Sequence, residues 1–186
     1  NTGTFSRGNL RYIGPGSWKT AGSTMSVSTG KWYYEVTLAA NPSNQNSGGD
    51  YHCFGFGLQS AFGSTTGPGT QTEILQMAGT GWYKNFSGTK TNTSTVCVAG
   101  DVLSIAVDLD ANTFTFRHNN NPRVSGTIGG TAGRELSPII VSYNTQYDIM
   151  DFNFGQKPFK FPPPAGFQSL NAASVRPETV IARPDQ

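Results

Sequence analysis

GDVLSIAVDLDANTFTFR, residues 100–117, reads as two strands joined by one tight connection. Leu103, Ile105, Val107 and Leu109 share one face of the first strand, with Ser104, Ala106 and Asp108 on the other. In the second, Phe114 and Phe116 alternate with Thr113, Thr115 and Arg117. This period of two, carried by β-branched and aromatic residues around an Asp-Ala-Asn link, predicts a β-hairpin. Asn112 tolerates the left-handed backbone such a turn needs. The large side chains of both strands can point the same way, so the hairpin supplies a central part of one apolar core.

Working outward, KWYYEVTL (Lys31–Leu38) is a strong strand with Trp32, Tyr34, Val36 and Leu38 on one face and Lys31, Tyr33, Glu35 and Thr37 on the other. Residues 51–58, YHCFGFGL, form another, with His52, Phe54, Phe56 and Leu58 on one side and Gly55 and Gly57 opposite. Short opening strands are expected over residues 4–13, a turn at Gly14-Pro15-Gly16, a short strand at residues 24–27 and a turn at Ser28-Thr29-Gly30. Residues 73–77 and 81–86 read as short strands, and residues 96–98 lead into the hairpin. Residues 136–143 and 147–154 are expected to form a late strand pair joined by Asn144-Thr145-Gln146. Residues 41–50 (NPSNQNSGGD), 61–72 and 118–123 (HNNNPR) read as polar loops, the first of them mobile. Residues 157–167, KPFKFPPPAGF, are too proline-rich for a central strand and should cross the surface as polyproline-like chain. No helix of two turns and no internal repeat stands out. Short strands punctuated by turns predict an all-β sandwich over residues 1–170, with residues 171–186 as a linker or tail.

A chain of 186 residues suffices for one such domain, and at this size roughly 70% of the unfolded surface can be buried. Only 13% of residues are charged and the net charge is +2, with Lys and Arg scattered singly. That pattern does not predict nucleic-acid binding, which needs a basic patch. No apolar run approaches the ~18 residues of a transmembrane helix, and no signal peptide is visible. The chain starts at Asn1 rather than Met, which reads as processing or as a piece of something longer.

Catalytic and ligand chemistries can be weighed one by one. GPGSWKT (residues 14–20) superficially matches a phosphate loop, but Trp18 stands where glycine must precede Lys19 and no helix follows. Asp108, Asp110 and Asn112 have the opening spacing of a calcium loop without its sixth-place glycine or distal glutamate. They read as turn residues. A glycosidase needs two carboxylates about 5–9 Å apart; Asp148 and Asp151 fall on opposite strand faces. Of the two histidines, His52 reads as a core imidazole and His118 as a solvated one beside a polar turn. Cys53 and Cys97 are the only cysteines, each in a strand-like apolar run, and read as small buried hydrophobes; a disulfide between them stays open. No catalytic residue, cofactor or metal is therefore expected. Aromatics remain. Trp32, Tyr34, Phe54, Phe56, Phe114, Phe116, Phe152 and Phe154 are core by alternation, whereas Tyr33, Tyr51, Trp82, Tyr83, Tyr143 and Tyr147 lie near strand ends or on the less apolar face. Tyrosine and tryptophan supply the rigid, amphipathic contact area common in binding hot spots.

The ordered segments GKWYYEV (30–36), FGFGL (54–58), GWYKN (81–85), GDVLSIAVDLDANTFTF (100–116), LSPII (136–140) and FNFGQKPFKF (152–161) resemble the SPRY domain, over about residues 5–170. The resemblance implies a bent antiparallel sandwich of two sheets, related to concanavalin-type lectins (a concanavalin A-like jelly roll). It further implies a non-catalytic module that binds partners through loops at one end. Where the family has Asn-Gly in a second turn, this chain has Asn119-Asn120-Asn121-Pro122. The tail from residue 166 resembles the exit from SPRY modules of tailed-bacteriophage virion proteins. On this reading the domain sits on a tail fibre or head appendage of a virion and grips a host-surface protein or glycan, or another virion subunit. No nucleic acid and no membrane insertion are expected. The expected contact set is Tyr51, Trp82, Tyr83, Tyr143, Asn144, Gln146 and Tyr147, with the loops 41–50 and 61–72. Alternatives are a cytoplasmic SPRY adaptor holding a peptide, a lectin-like carbohydrate binder and, least favoured, a glycosidase.

Overall fold

The computed structural model describes residues 3–40, 52–65, 73–77, 82–84, 90–92, 97–128, 133–143 and 149–175. Its strands form two sheets. The first runs in the order β1 (Thr4–Ser6), β2 (Arg11–Ile13), β13 (Ile149–Asn153), β4 (Lys31–Leu38), β9 (Val102–Asp108), β10 (Thr113–His118) and β11 (Asn121–Thr127). A two-residue strand, β14 (Gln168–Ser169), lies parallel beside Trp32 and Tyr33 of β4. The second sheet runs β3 (Lys19–Gly22), β12 (Ser137–Ser142), β5 (His52–Gly57), β6 (Glu73–Met77), β7 (Trp82–Lys84) and β8 (Lys90–Asn92). Every other pairing is antiparallel.

β9 and β10 form the expected hairpin, Thr113 opposite Asp108 and His118 opposite Leu103. Asp108 shapes its turn: Oδ1 accepts from the Asp110 and Ala111 amides at 3.1 and 2.9 Å, and Oδ2 meets Lys31 Nζ at 2.9 Å. Asp110 reaches sideways to the Gly30 amide at 2.8 Å, and Asn112 takes a φ of +55°. These carboxylates thus serve backbone donors in two neighbouring turns, as their turn reading requires.

Leu103, Ile105, Val107, Leu109, Phe114 and Phe116 all enter the main core, as do Trp32, Tyr34, Val36, Leu38, Phe54 and Phe56. Tyr34 lies at its centre. Its ring meets Phe54 and Phe56 of the opposite sheet edge-on at 6.0 and 5.5 Å, and its hydroxyl donates to the Gly55 carbonyl at 2.6 Å. Burial pushes the Tyr34 phenol well above its ordinary pKa, so it remains a donor at any physiological pH. A second bridge pairs Tyr12 Oη on β2 with Ser142 Oγ on β12 at 2.8 Å.

β4 and β9 are buried on their outer face too. Residues 157–161 cross that face: the Lys160 and Phe161 amides both donate to the buried Glu35 carboxylate at 2.9 Å, and Phe159 packs edge-on against Tyr33 at 5.0 Å. Tyr33 also donates to Glu35 at 3.1 Å, and burial raises its phenol to about 12. Tyr33 is therefore core under the proline-rich arm rather than a surface aromatic.

Several expectations are corrected. The early strand is Lys19–Gly22, paired with β12, while Val27 makes a single bridge to Leu136. β12 and β13 do not pair; they belong to different sheets. Cys97 lies outside the strands, and β8 is a strand not foreseen. HNNNPR is not a loop. Asn119 and Asn120 carry φ of +46° and +68°, the positive values a type I′ two-residue hairpin requires, and β11 starts at Asn121. Pro122 is tolerated because β11 is the last strand of its sheet and the register shifts beside it, between Phe116 and Arg117. Residues 171–175 hold one helical turn, Ala172–Val175, capped by Asn171.

Two stability measurements test this architecture. Tyr34→Phe should lower the urea-unfolding free energy by about 1 kcal/mol, whereas Tyr34→Ala should cost about 3–5 kcal/mol through the lost ring and its cavity. Glu35→Ala strands two arm amides and should cost about 2–3 kcal/mol, with Glu35→Gln losing less because it keeps one acceptor.

Candidate functional site

The outer face of the six-stranded sheet is built differently. By alternation, Cys53, Ile139 and Val141 point away from the main core, and they form a second apolar cluster with Trp18 and Phe62 packed against it. Trp18 ends the segment before β3 and Tyr143 follows β12. Because Lys19 pairs with Ser142, the two rings are brought together, centroids 5.4 Å apart and tilted by 58°. Tyr143 is 39% exposed, one of few large hydrophobics so placed among the described residues.

The stretch after β5 is fastened to the β3 edge. A 3-10 turn (Gln59–Ala61) leads into residues 62–64, where the Gly63 amide donates to Thr20 O at 2.9 Å and the Thr20 amide to Ser64 O at 3.1 Å. The Phe62 ring lies against Gly22, where any Cβ would collide with it. Glycine at position 22 therefore decides where this aromatic rests. The result is a surface of three uncharged rings, Trp18, Phe62 and Tyr143, framed by strand backbone.

Of the expected contact residues, Tyr143 is on this surface. Trp82 and Tyr83 lie on β7 of the same sheet, with only their backbone described. Tyr51, Asn144, Gln146 and Tyr147, the loop 41–50 and residues 66–72 of the other loop fall outside the described residues. Trp18 and Phe62 were missed. Trp18 was hidden in the GPGSWKT stretch, which leads into strand β3 and offers no helix terminus to a phosphate. The available signal was a tryptophan directly before a Lys-Thr-Ala-Gly strand.

His118 also differs from expectation: it is buried on β10, with Nε2 2.8 Å from Asp101 Oδ2. Asp101 further accepts from the Val98 amide at 2.9 Å and Asn119 Nδ2 at 2.8 Å, while Asn119 Oδ1 accepts from the Val102 amide at 2.9 Å. Cys97 Sγ, an Asp101 oxygen and a His118 nitrogen lie within 4.8 Å of one another, three atom types that can ligate a metal. The geometry favours a latch. Asp101 is occupied by turn donors, and burial, with the Asp101 charge behind it, pushes the Cys97 thiol up to about 12. A protonated thiol is neither a nucleophile nor a ready ligand at neutral pH. Both cysteines are buried, Cys53 in the outer cluster and Cys97 in the main core, and no disulfide joins them.

The sequence profile of the SPRY domain matches residues 31–157. Among solved structures, the SPRY domain of human HERC1 superposes with a TM-score of 0.67 at 16% identity, covering 85% of this chain and 96% of that one. A human SPRY domain gives 0.65 at 12% identity, over 84% and 98%. The TRIM65 PSpry domain gives 0.57 at 15%, over 82% and 83%. At these identities the superpositions speak for the fold.

Among the described residues, three carboxyls are held below their ordinary range. For Asp151 the Arg11 guanidinium is the main cause, for Asp108 the Ala111 amide followed by Lys31. For Asp101, burial alone would raise the value, but the bonds from Val98, Asn119 and His118 together outweigh it. Depressed carboxyls stabilise the fold above the unfolded pKa, ~3.9, and that contribution fades as pH falls through the folded values. The melting temperature should thus change little through these groups between pH 7 and about 5, then fall below about 4, and Asp151→Asn should flatten the fall.

Proposed function

We propose, from the premise that this chain belongs to the SPRY domain family, that it is a non-catalytic binding module whose recognition surface is the outer face of the six-stranded sheet around Trp18, Phe62 and Tyr143. The observation that carries the reading is the Trp18–Tyr143 pair at the β3–β12 end, beside the partly exposed Phe62. Amphipathic rings seated on rigid strands lose little conformational freedom on binding, and such residues dominate measured hot spots. The opposite outer face is already covered by residues 157–161. The low charge of the chain suits a ligand recognised by shape and stacking rather than by long-range attraction.

The setting we propose is a virion structural protein, a tail fibre or head appendage, with a host-surface ligand or another virion protein as partner. The support is the likeness of the tail from residue 166 to the exits of phage-borne SPRY modules. Fluorescently labelled chain added to a panel of intact bacteria should label at least one strain. Tyr143→Ala and Trp18→Ala should each reduce retention by roughly tenfold or more, with melting temperatures monitored so that loss of fold is not mistaken for loss of contact. Protease treatment of the cells distinguishes a protein ligand from a glycan. Retention that survives both substitutions, or turnover of a surface polysaccharide by the wild-type chain, would overturn the reading.

A further inference from the structure

A second feature lies at the other end of the β3–β12 pair, where Gly22 faces Ile139. β1 and β3 are the terminal strands of their respective sheets, and the sandwich is open between them. The opening is a cavity of about 290 Å³ whose apolar lining includes Phe5, Ala21, Pro138, Ile140, Phe152 and Phe154. Polar lining comes from Asn9, Ser23 and Thr24. Phe5 is 40% exposed. A volume at the bottom of the usual ligand range of roughly 300–1,000 Å³ takes one bulky side chain with its flanks rather than a whole organic ligand. The Gly63 and Ser64 backbone engages β3 only at Thr20, so past that point no strand lies along its free side among the described residues. Unpaired strand edges beside an apolar pocket are the arrangement to which an extended peptide adds.

Charge narrows the occupant. A smaller hollow shares the Phe152 wall and is lined by Arg7, Leu10, Asp151, Gln156 and Lys157. Arg11 grips both Asp151 oxygens at 2.6 and 2.5 Å. That carboxylate is therefore neutralised, and Arg7, 65% exposed and 3.8 Å from Asp151, together with the exposed Lys157 forms a surplus of positive charge. Arg7, Gly8 and Asn9 carry φ of +53°, +67° and +64°, a tightly turned connection that places Asn9 on one hollow and Arg7 on the other.

We infer that the cleft between the β1 and β3 edges docks an extended acidic peptide of a partner protein, one bulky apolar side chain filling the cavity and a neighbouring Asp or Glu meeting Arg7 and Lys157. The cleft borders the Trp18–Tyr143 surface through Gly22 and Ile139, but Arg7, Lys157 and Ala21 belong to the cleft alone and Tyr143 to the surface alone, so substitutions at these positions distinguish the two.

The test is selection of a random peptide display library on the intact chain, followed by fluorescence anisotropy with the enriched peptides. Enriched peptides should carry Phe, Leu, Ile or Trp within two residues of Asp or Glu. Arg7→Glu and Lys157→Glu, both at exposed positions, should each weaken binding roughly tenfold, and added salt should weaken the wild type. Ala21→Leu, which fills the cavity, should abolish binding, with its melting temperature measured alongside; Tyr143→Ala should leave binding unchanged. No enrichment, enrichment without that pairing, or peptides indifferent to the Arg7 and Lys157 reversals would overturn the proposal. So would sedimentation showing a dimer that Arg7→Glu dissociates, since a second copy would then occupy the cleft.

Discussion

The Tyr34 phenol, donating to the Gly55 carbonyl across the interior, is the contact around which the two sheets are arranged. A buried hydroxyl without a partner costs about 1–3 kcal/mol by mutational measure, so this bond restricts how the sheets can slide past each other as well as holding them together. The rings of Phe54, Phe56, Phe152 and Phe154 then pack round Tyr34. Tyr33 and Glu35, its chain neighbours, face the other way and hold the proline-rich arm. One strand thus organises the core on one side and the covering segment on the other, through the alternation of successive side chains.

That double burial bears on function. With the arm laid over β4 and β9, strand residues beneath it such as Tyr33 are withdrawn from solvent. Among the described residues, two places combine partly exposed apolar side chains with a sheet edge: the Trp18, Phe62 and Tyr143 surface, and the mouth between β1 and β3. The first is built from three uncharged rings. The second adjoins a cationic turn, and this difference leads to a different partner chemistry for each. The titratable groups that could suggest catalysis are engaged structurally: Asp101 in capping a turn, Asp108 in shaping the hairpin, and Glu35 in holding backbone.

Much of the fold was legible residue by residue. The alternation in residues 103–109 and 114–116 located the hairpin, its inner face and its Asn112 turn, and the same pattern located β4 and β5. The errors share a cause. His118 sits beside three asparagines, and local polarity suggested solvent, but its ring turns under the Val98–Asp101 turn to meet a carboxylate 17 residues away. β11 was obscured because Asn-Asn-Pro has low strand propensity, while an edge position and a bulge tolerate that composition. Residues 136–143 and 149–153 are close in sequence, and proximity favoured a hairpin; each instead pairs with strands far away along the chain.

The sequence by itself determined which residues turn inward, that the elements are strands, and the family to which they belong, because a period of two and turn chemistry are properties of neighbouring residues. Only the tertiary structure decided which strands pair and which polar groups are buried in company. It also decided that Trp18 and Tyr143, 125 positions apart by their numbering, form one surface. Those outcomes depend on register between distant segments, where each contact is set by the packing of the whole core rather than by any local run of residues.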